Sequence, residues 1–121
     1  MCKTVILGAT TNESRYAYLV AERLYNRGMD FVPVGRKSGN VFGETILDID
    51  STPHIEDVHT ITLYIGSKNQ VEWYTYIISL KPKRIIFNPG TENKDLVKLA
   101  EANDIEVEVG CTLVMLSIGN Y

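Results

Sequence analysis

The chain has 121 residues, 45 % of them apolar, which suits one globular domain over 1–121 with a single core. Its net charge of -3 argues against a nucleic-acid surface, which calls for clustered cations. No apolar run nears the ~20 residues that span a bilayer, and Met1-Cys2-Lys3-Thr4 leads straight into a strand pattern without a leader, so a cytoplasmic protein with no membrane partner is expected.

In chain order, Val5-Ile6-Leu7 is a compact apolar run of the kind buried on both faces of a sheet. Ala17, Val20, Ala21 and Leu24 then recur at helical spacing, with Ser14 or Asn12 placed to cap the helix and Gly28 placed to end it. Residues 30–34 read as a second strand, in which Pro33 belongs near an end or at a bulge. A polar, basic loop follows at 35–40, and 44–49 reads as a third, short strand. Thr52-Pro53 suggests an N-cap with proline at the first helical position. Residues 60–65 form a fourth strand, 69–80 a helix stopped by Lys81-Pro82, and 84–87 a fifth strand ending in Asn88-Pro89-Gly90. Thr91 is placed to cap a helix carrying Leu96, Leu99 and Ala100. Residues 105–109 are a last regular strand, and 113–116 an extra short element.

Strands alternating with helices imply right-handed βαβ units and a doubly wound parallel sheet with helices on both faces. Five strands in the order 3-2-1-4-5 are expected. The order reverses between strands 1 and 4, which opens a crevice at their carboxyl ends. Three loops should meet there. Gly8 turns the chain out of the first strand; Ala9, Thr10, Thr11, Asn12 and Ser14 supply hydroxyls and N–H groups at a helix start, and Arg15 adds a cation in the first turn. Arg15 opposes the helix dipole, which makes better sense beside an anionic ligand. The glycine spacing is wrong for a dinucleotide fingerprint, since only Gly8 of the G-x-G-x-x-G set is present, and no Walker A lysine follows. After the second strand, where an NAD enzyme carries an acid for the ribose, this chain has Arg36 and Lys37, which suit a phosphorylated ribose such as that of NADP or coenzyme A. After the fourth strand, Ile65, Gly66 and Ser67 allow close approach and offer donors.

The ordered set Val5-Ile6-Leu7-Gly8-Ala9-Thr10, Ser14-Arg15-Tyr16, Gly28 with Val32-Pro33-Val34, Phe42-Gly43-Glu44 and Asn88-Pro89-Gly90 resembles the small stand-alone CoA-binding proteins. Their Rossmann-like domain also forms the N-terminal part of the succinyl-CoA synthetase α subunit. The resemblance covers nearly the whole chain and implies a three-layer Rossmann-like fold. It also implies that coenzyme A or an acyl-CoA is held by its nucleotide phosphates over 8–15, with Lys37 or Arg36 at a phosphate and 65–67 lining the groove. Many members carry Asn-Pro where this chain has Gly35-Arg36, so ribose recognition should differ in detail.

No chemistry is visible beside that binding site. His54 and His59 lie between the third and fourth strands, away from any nucleophile motif, and read as surface or packing residues. Asp48 and Asp50 read as turn residues. Cys2 and Cys111 stand apart, outside any zinc spacing, and read as reduced thiols. A non-catalytic CoA-binding protein without a metal is therefore expected. The alternatives are an NADP-dependent reductase or redox sensor on the same fold, and a structural subunit without a ligand. Trp73, Tyr74, Tyr76, Ile77, Ile78 and Leu80 make the 69–80 helix apolar over much of its girth, which raises the expectation of a homodimer contact there.

Overall fold

The computed structural model describes residues 3–121; Cys2 lies outside the described residues. The elements run β1 (Lys3–Leu7), α1 (Tyr16–Asn26), β2 (Phe31–Gly35), β3 (Asn40–Val41), β4 (Glu44–Thr45), β5 (Leu47–Asp48), β6 (Val58–Leu63), α2 (Tyr74–Ser79), β7 (Arg84–Phe87), α3 (Lys94–Ala102), β8 (Glu106–Val109) and α4 (Thr112–Ser117). One parallel sheet has the order β5-β2-β1-β6-β7-β8.

The sheet corrects the expected five strands in the order 3-2-1-4-5: the segment read as a last strand at 105–109 also joins it, as β8 outside β7, with Val107 opposite Ile85. It is an edge strand that carries Glu106 and Glu108 and is only partly buried, so its apolar signal is weak. The central strands are covered on both sides. Val5 and Leu7 pack with Trp73, Ile77, Leu96 and Ala100 on the α2/α3 face, while Ile6 packs with Ala17, Val20, Leu24 and Leu116 on the α1/α4 face. Alternate residues of β1 thus serve different layers, as the pleat requires.

Several boundaries differ from the sequence reading, each for a local reason. Residues 44–49 split into β4 and β5. β4 pairs back on β3 through a two-residue turn, Phe42-Gly43, with positive φ at both positions (49° and 85°), the twist that suits a tight hairpin. Pro33 is central in β2, opposite Ile6. It is tolerated there because β5 reaches only Val34 and Gly35, leaving one flank of β2 unpaired at Pro33. The turn expected to start at Thr52 instead ends there: a 3-10 turn at Ile49–Ser51 is capped by the Asp48 carboxylate and closed by a left-handed Thr52. Asn12 and Ser14 do not cap α1. The Asn12 side-chain oxygen accepts from both the N–H and the hydroxyl of Ser14, so Arg15 stands at the N-cap position with no side-chain cap. Asn93, not Thr91, caps α3, accepting from the N–H groups of Asp95 and Leu96.

The expected helix over 69–80 is two 3-10 turns, Ser67–Asn69 and Val71–Trp73, followed by the short α2. Its β-branched and aromatic residues are weak helix formers. Gln70 is buried among them, and its amide nitrogen donates to the carbonyls of Ile65 and Thr91, tying the segment to two neighbouring loops. Trp73, Tyr76, Ile77 and Leu80 are buried in the chain's own core, which accounts for most of the apolar girth that suggested a homodimer contact. Among the described residues no helix is long and apolar enough to cross a membrane.

Candidate functional site

The loops leaving the carboxyl ends of β1, β2, β6 and β7 enclose a cleft of about 780 Å³. At the exit of β1, Gly8 adopts φ of +104°, and a side chain there would press within 3.0 Å of the Tyr64 carbonyl. The N–H groups of Gly8 and Ala9 both donate to the Val34 carbonyl, at 2.8 and 2.9 Å, so they hold β1 to β2 rather than facing the cleft. The next donors are open. Thr10, Thr11, Tyr16 and Ala17 line the cleft, and their N–H groups make no hydrogen bond within the described residues. Asn12 and Arg15 line it too. Ser14 does not, its hydroxyl being held by Asn12.

The loop after β2 is pressed onto this first loop. A side chain at Gly35 would lie 2.6 Å from the Ala9 carbonyl oxygen, and one at Gly39 2.6 Å from the Thr11 methyl. These two glycines let the loops touch. The contact carries Arg36 and Lys37 to the cleft wall. Arg36 reaches across the crevice, pairing with Glu72 at 3.4 Å and lying 5.7 Å from the centre of the Trp73 ring. Lys37 has no ion-pair partner among the described residues.

After β6, Tyr64, Ile65 and Gly66 line the cleft; Ser67 does not, since it enters the 3-10 turn and Asn69 takes the wall position. Burial raises the Tyr64 phenol above its ordinary range, and its oxygen has no hydrogen-bond partner among the described residues. The loop after β7 supplies Pro89, Gly90 and Thr91. It is fixed by the buried Asn88, whose amide donates to the Thr62 hydroxyl and the Leu63 carbonyl and whose oxygen accepts from the Thr112 N–H.

The structure thus brings together Gly8, Ala9, Thr10, Thr11, Asn12, Arg15, Arg36, Lys37, Ile65 and Gly66 of the expected set, and leaves Ser14 and Ser67 outside. Reading the sequence missed Gly35, Ile49, Trp73 and Gly90, among others. The Asn88-Pro89-Gly90 turn after an apolar strand was the one signal available for the fourth loop. The described lining holds three cations and no Asp, Glu, His or Cys. His54 is exposed beside Glu56, and His59 bonds to the Thr60 hydroxyl near the start of β6, at the other end of the sheet. Cys111 is half-buried at the N-cap of α4. Among the described residues no three His, Cys, Asp or Glu side chains gather to hold a metal.

A parallel sheet covered by helices on both faces, with a cleft at the switch point of its strand order, defines a Rossmann-like architecture. The chain matches the CoA-binding domain family over residues 3–117 and belongs to it. A crystal structure of an uncharacterized protein is 58 % identical, with a TM-score of 0.95, 100 % of this chain and 98 % of that one being covered. A Thermus thermophilus protein (17 % identity, TM-score 0.82, covering 99 % and 90 %) and a conserved hypothetical protein from Pyrococcus furiosus (21 %, 0.81, covering 94 % and 98 %) share the fold. No match is found among curated proteins.

Proposed function

We propose that the protein binds coenzyme A or an acyl-CoA through its nucleotide phosphates, without catalysing a reaction of its own. The observation that carries this reading is electrostatic. In a chain of net charge -3, the described cleft lining has Arg15, Arg36 and Lys37 and no acid. Arg36 is paired with Glu72, whereas Arg15 and Lys37 have no ion-pair partner among the described residues, and a concave wall with this excess of positive charge concentrates an anion. The open N–H groups of Thr10, Thr11, Tyr16 and Ala17, at cleft-lining residues around the start of α1, are donors suited to phosphate oxygens. Lys37, with its charge uncommitted, is the residue we assign to the ribose 3′-phosphate. In the described lining no hydroxyl is hydrogen-bonded to a base that would activate it, which supports binding over nucleophilic chemistry.

Calorimetric titration with coenzyme A, dephospho-CoA and NADP tests this. Coenzyme A should bind more tightly than dephospho-CoA, and Lys37→Glu should remove the difference. No heat with millimolar coenzyme A would sink the reading, and tight NADP binding without a CoA response would replace it with the NADP alternative.

A further inference from the structure

We infer that Arg36 holds the base of the ligand by stacking rather than its ribose phosphate by charge; this rests on the CoA reading above and names how that site selects its nucleotide. The two cations after β2 are in different states. Arg36 has its charge met by Glu72, 3.4 Å away, and its guanidinium carbon lies 5.7 Å from the centre of the Trp73 ring, within reach of a cation–π contact. Trp73 is only 6 % exposed and offers little face of its own to a ligand. The Arg36 side chain beside it is 59 % exposed and lines the cleft.

A guanidinium is planar and weakly hydrated and stacks on aromatic faces, which an ammonium cannot do. With the indole on one side and more than half of its side chain exposed, it has a face free for a second ring. The surroundings match a base. Ile49 lines the cleft and belongs to the same apolar cluster as Trp73, on the α2/α3 face of the sheet. The donors of Thr10, Thr11, Tyr16 and Ala17 lie by the β1 exit and the start of α1. The cleft therefore combines apolar wall residues with open backbone donors, as a nucleotide combines a base with a phosphate chain.

Two variants with opposite properties test the assignment by calorimetry against coenzyme A and dephospho-CoA. Arg36→Lys keeps the charge and loses the plane; Arg36→Phe keeps a plane and loses the charge. Arg36→Lys should weaken both ligands alike, by about three- to tenfold, and Arg36→Phe should stay within about twofold of the natural chain. Full binding by Arg36→Lys with loss by Arg36→Phe would overturn the inference, as would equal loss in both variants or a loss confined to coenzyme A. Failure of the natural chain to bind either ligand would instead overturn the CoA reading itself, and this inference with it. Both variants should keep the natural melting temperature within a degree or so, since the side chain lies at the surface and the pair it makes with Glu72 is exposed.

Discussion

At the scale of single residues, the cleft depends on atoms that are not there. Gly35 allows the backbones of two loops to meet at Ala9, so Gly35→Ala must push the first loop off the second. Overpacking of this kind costs about 1–3 kcal/mol. Gly35→Ala should lower the midpoint of urea unfolding accordingly and weaken ligand binding through the displaced loop; an unchanged midpoint would mean that the loops separate freely. Asn88 is the other pivot, buried and joining β6, β7 and α4 through three hydrogen bonds. Asn88→Ala leaves those partners unsatisfied and should cost about 3 kcal/mol in the same measurement. Such residues also show where sequence reading stops. Gly8, Thr10, Thr11, Asn12, Arg15, Arg36 and Lys37 were legible because strand, turn and charge are local in the chain. Ile49 and Trp73 enter the cleft from distant segments, and nothing at those positions alone announces it, whereas Gly90 carries only the signal of its turn. Ser14 does not line the cleft, and its hydroxyl donates to the Asn12 side-chain oxygen, a contact that the order of residues alone does not announce.

At the scale of elements, caps and tethers set what periodicity leaves open. Asn93 accepts from the N–H groups of Asp95 and Leu96, and its amide donates to Gln70 and the Tyr74 hydroxyl, so one side chain both starts α3 and ties it to the segment before α2. Asn93→Ala should cost about 1–2 kcal/mol. It should also speed hydrogen exchange of the Asp95 and Leu96 amides; unaltered exchange there would remove the cap from the explanation. Of the strands buried on both faces, β1 and β7 were plain from the apolar runs Val5–Leu7 and Ile85–Phe87, and β6 from β-branched residues alternating with apolar ones over Thr60–Leu63. The hairpin of β3 and β4 was not, since its two-residue strands have too few positions to show alternation. Nor was the break in 69–80, because it follows from where the Gln70 amide finds its acceptors.

At the scale of the whole molecule, the two ends of the sheet differ in charge behaviour. Near the start of β6, burial first, and then the charges of Arg84 and Lys83, hold the His59 imidazole below its ordinary value. The unfolded chain therefore takes up this proton first, near the ordinary histidine value of about 6.5. The contribution of His59 to stability is complete above that pH and is lost as pH falls through it towards the folded value. Melting temperatures measured between about pH 7.5 and 5 should fall more steeply for the natural chain than for His59→Gln, and parallel curves would contradict this. At the opposite end, the cationic cleft is the feature on which the proposed function rests. Titration of the labelled protein with coenzyme A, followed by amide chemical shifts in NMR, addresses ligand and location together. The shifts should concentrate at Thr10, Thr11, Tyr16, Ala17, Lys37, Gly66 and Gly90. No shifts at millimolar coenzyme A, or shifts centred on the β3–β4 hairpin instead, would contradict a CoA site at the carboxyl ends of the strands.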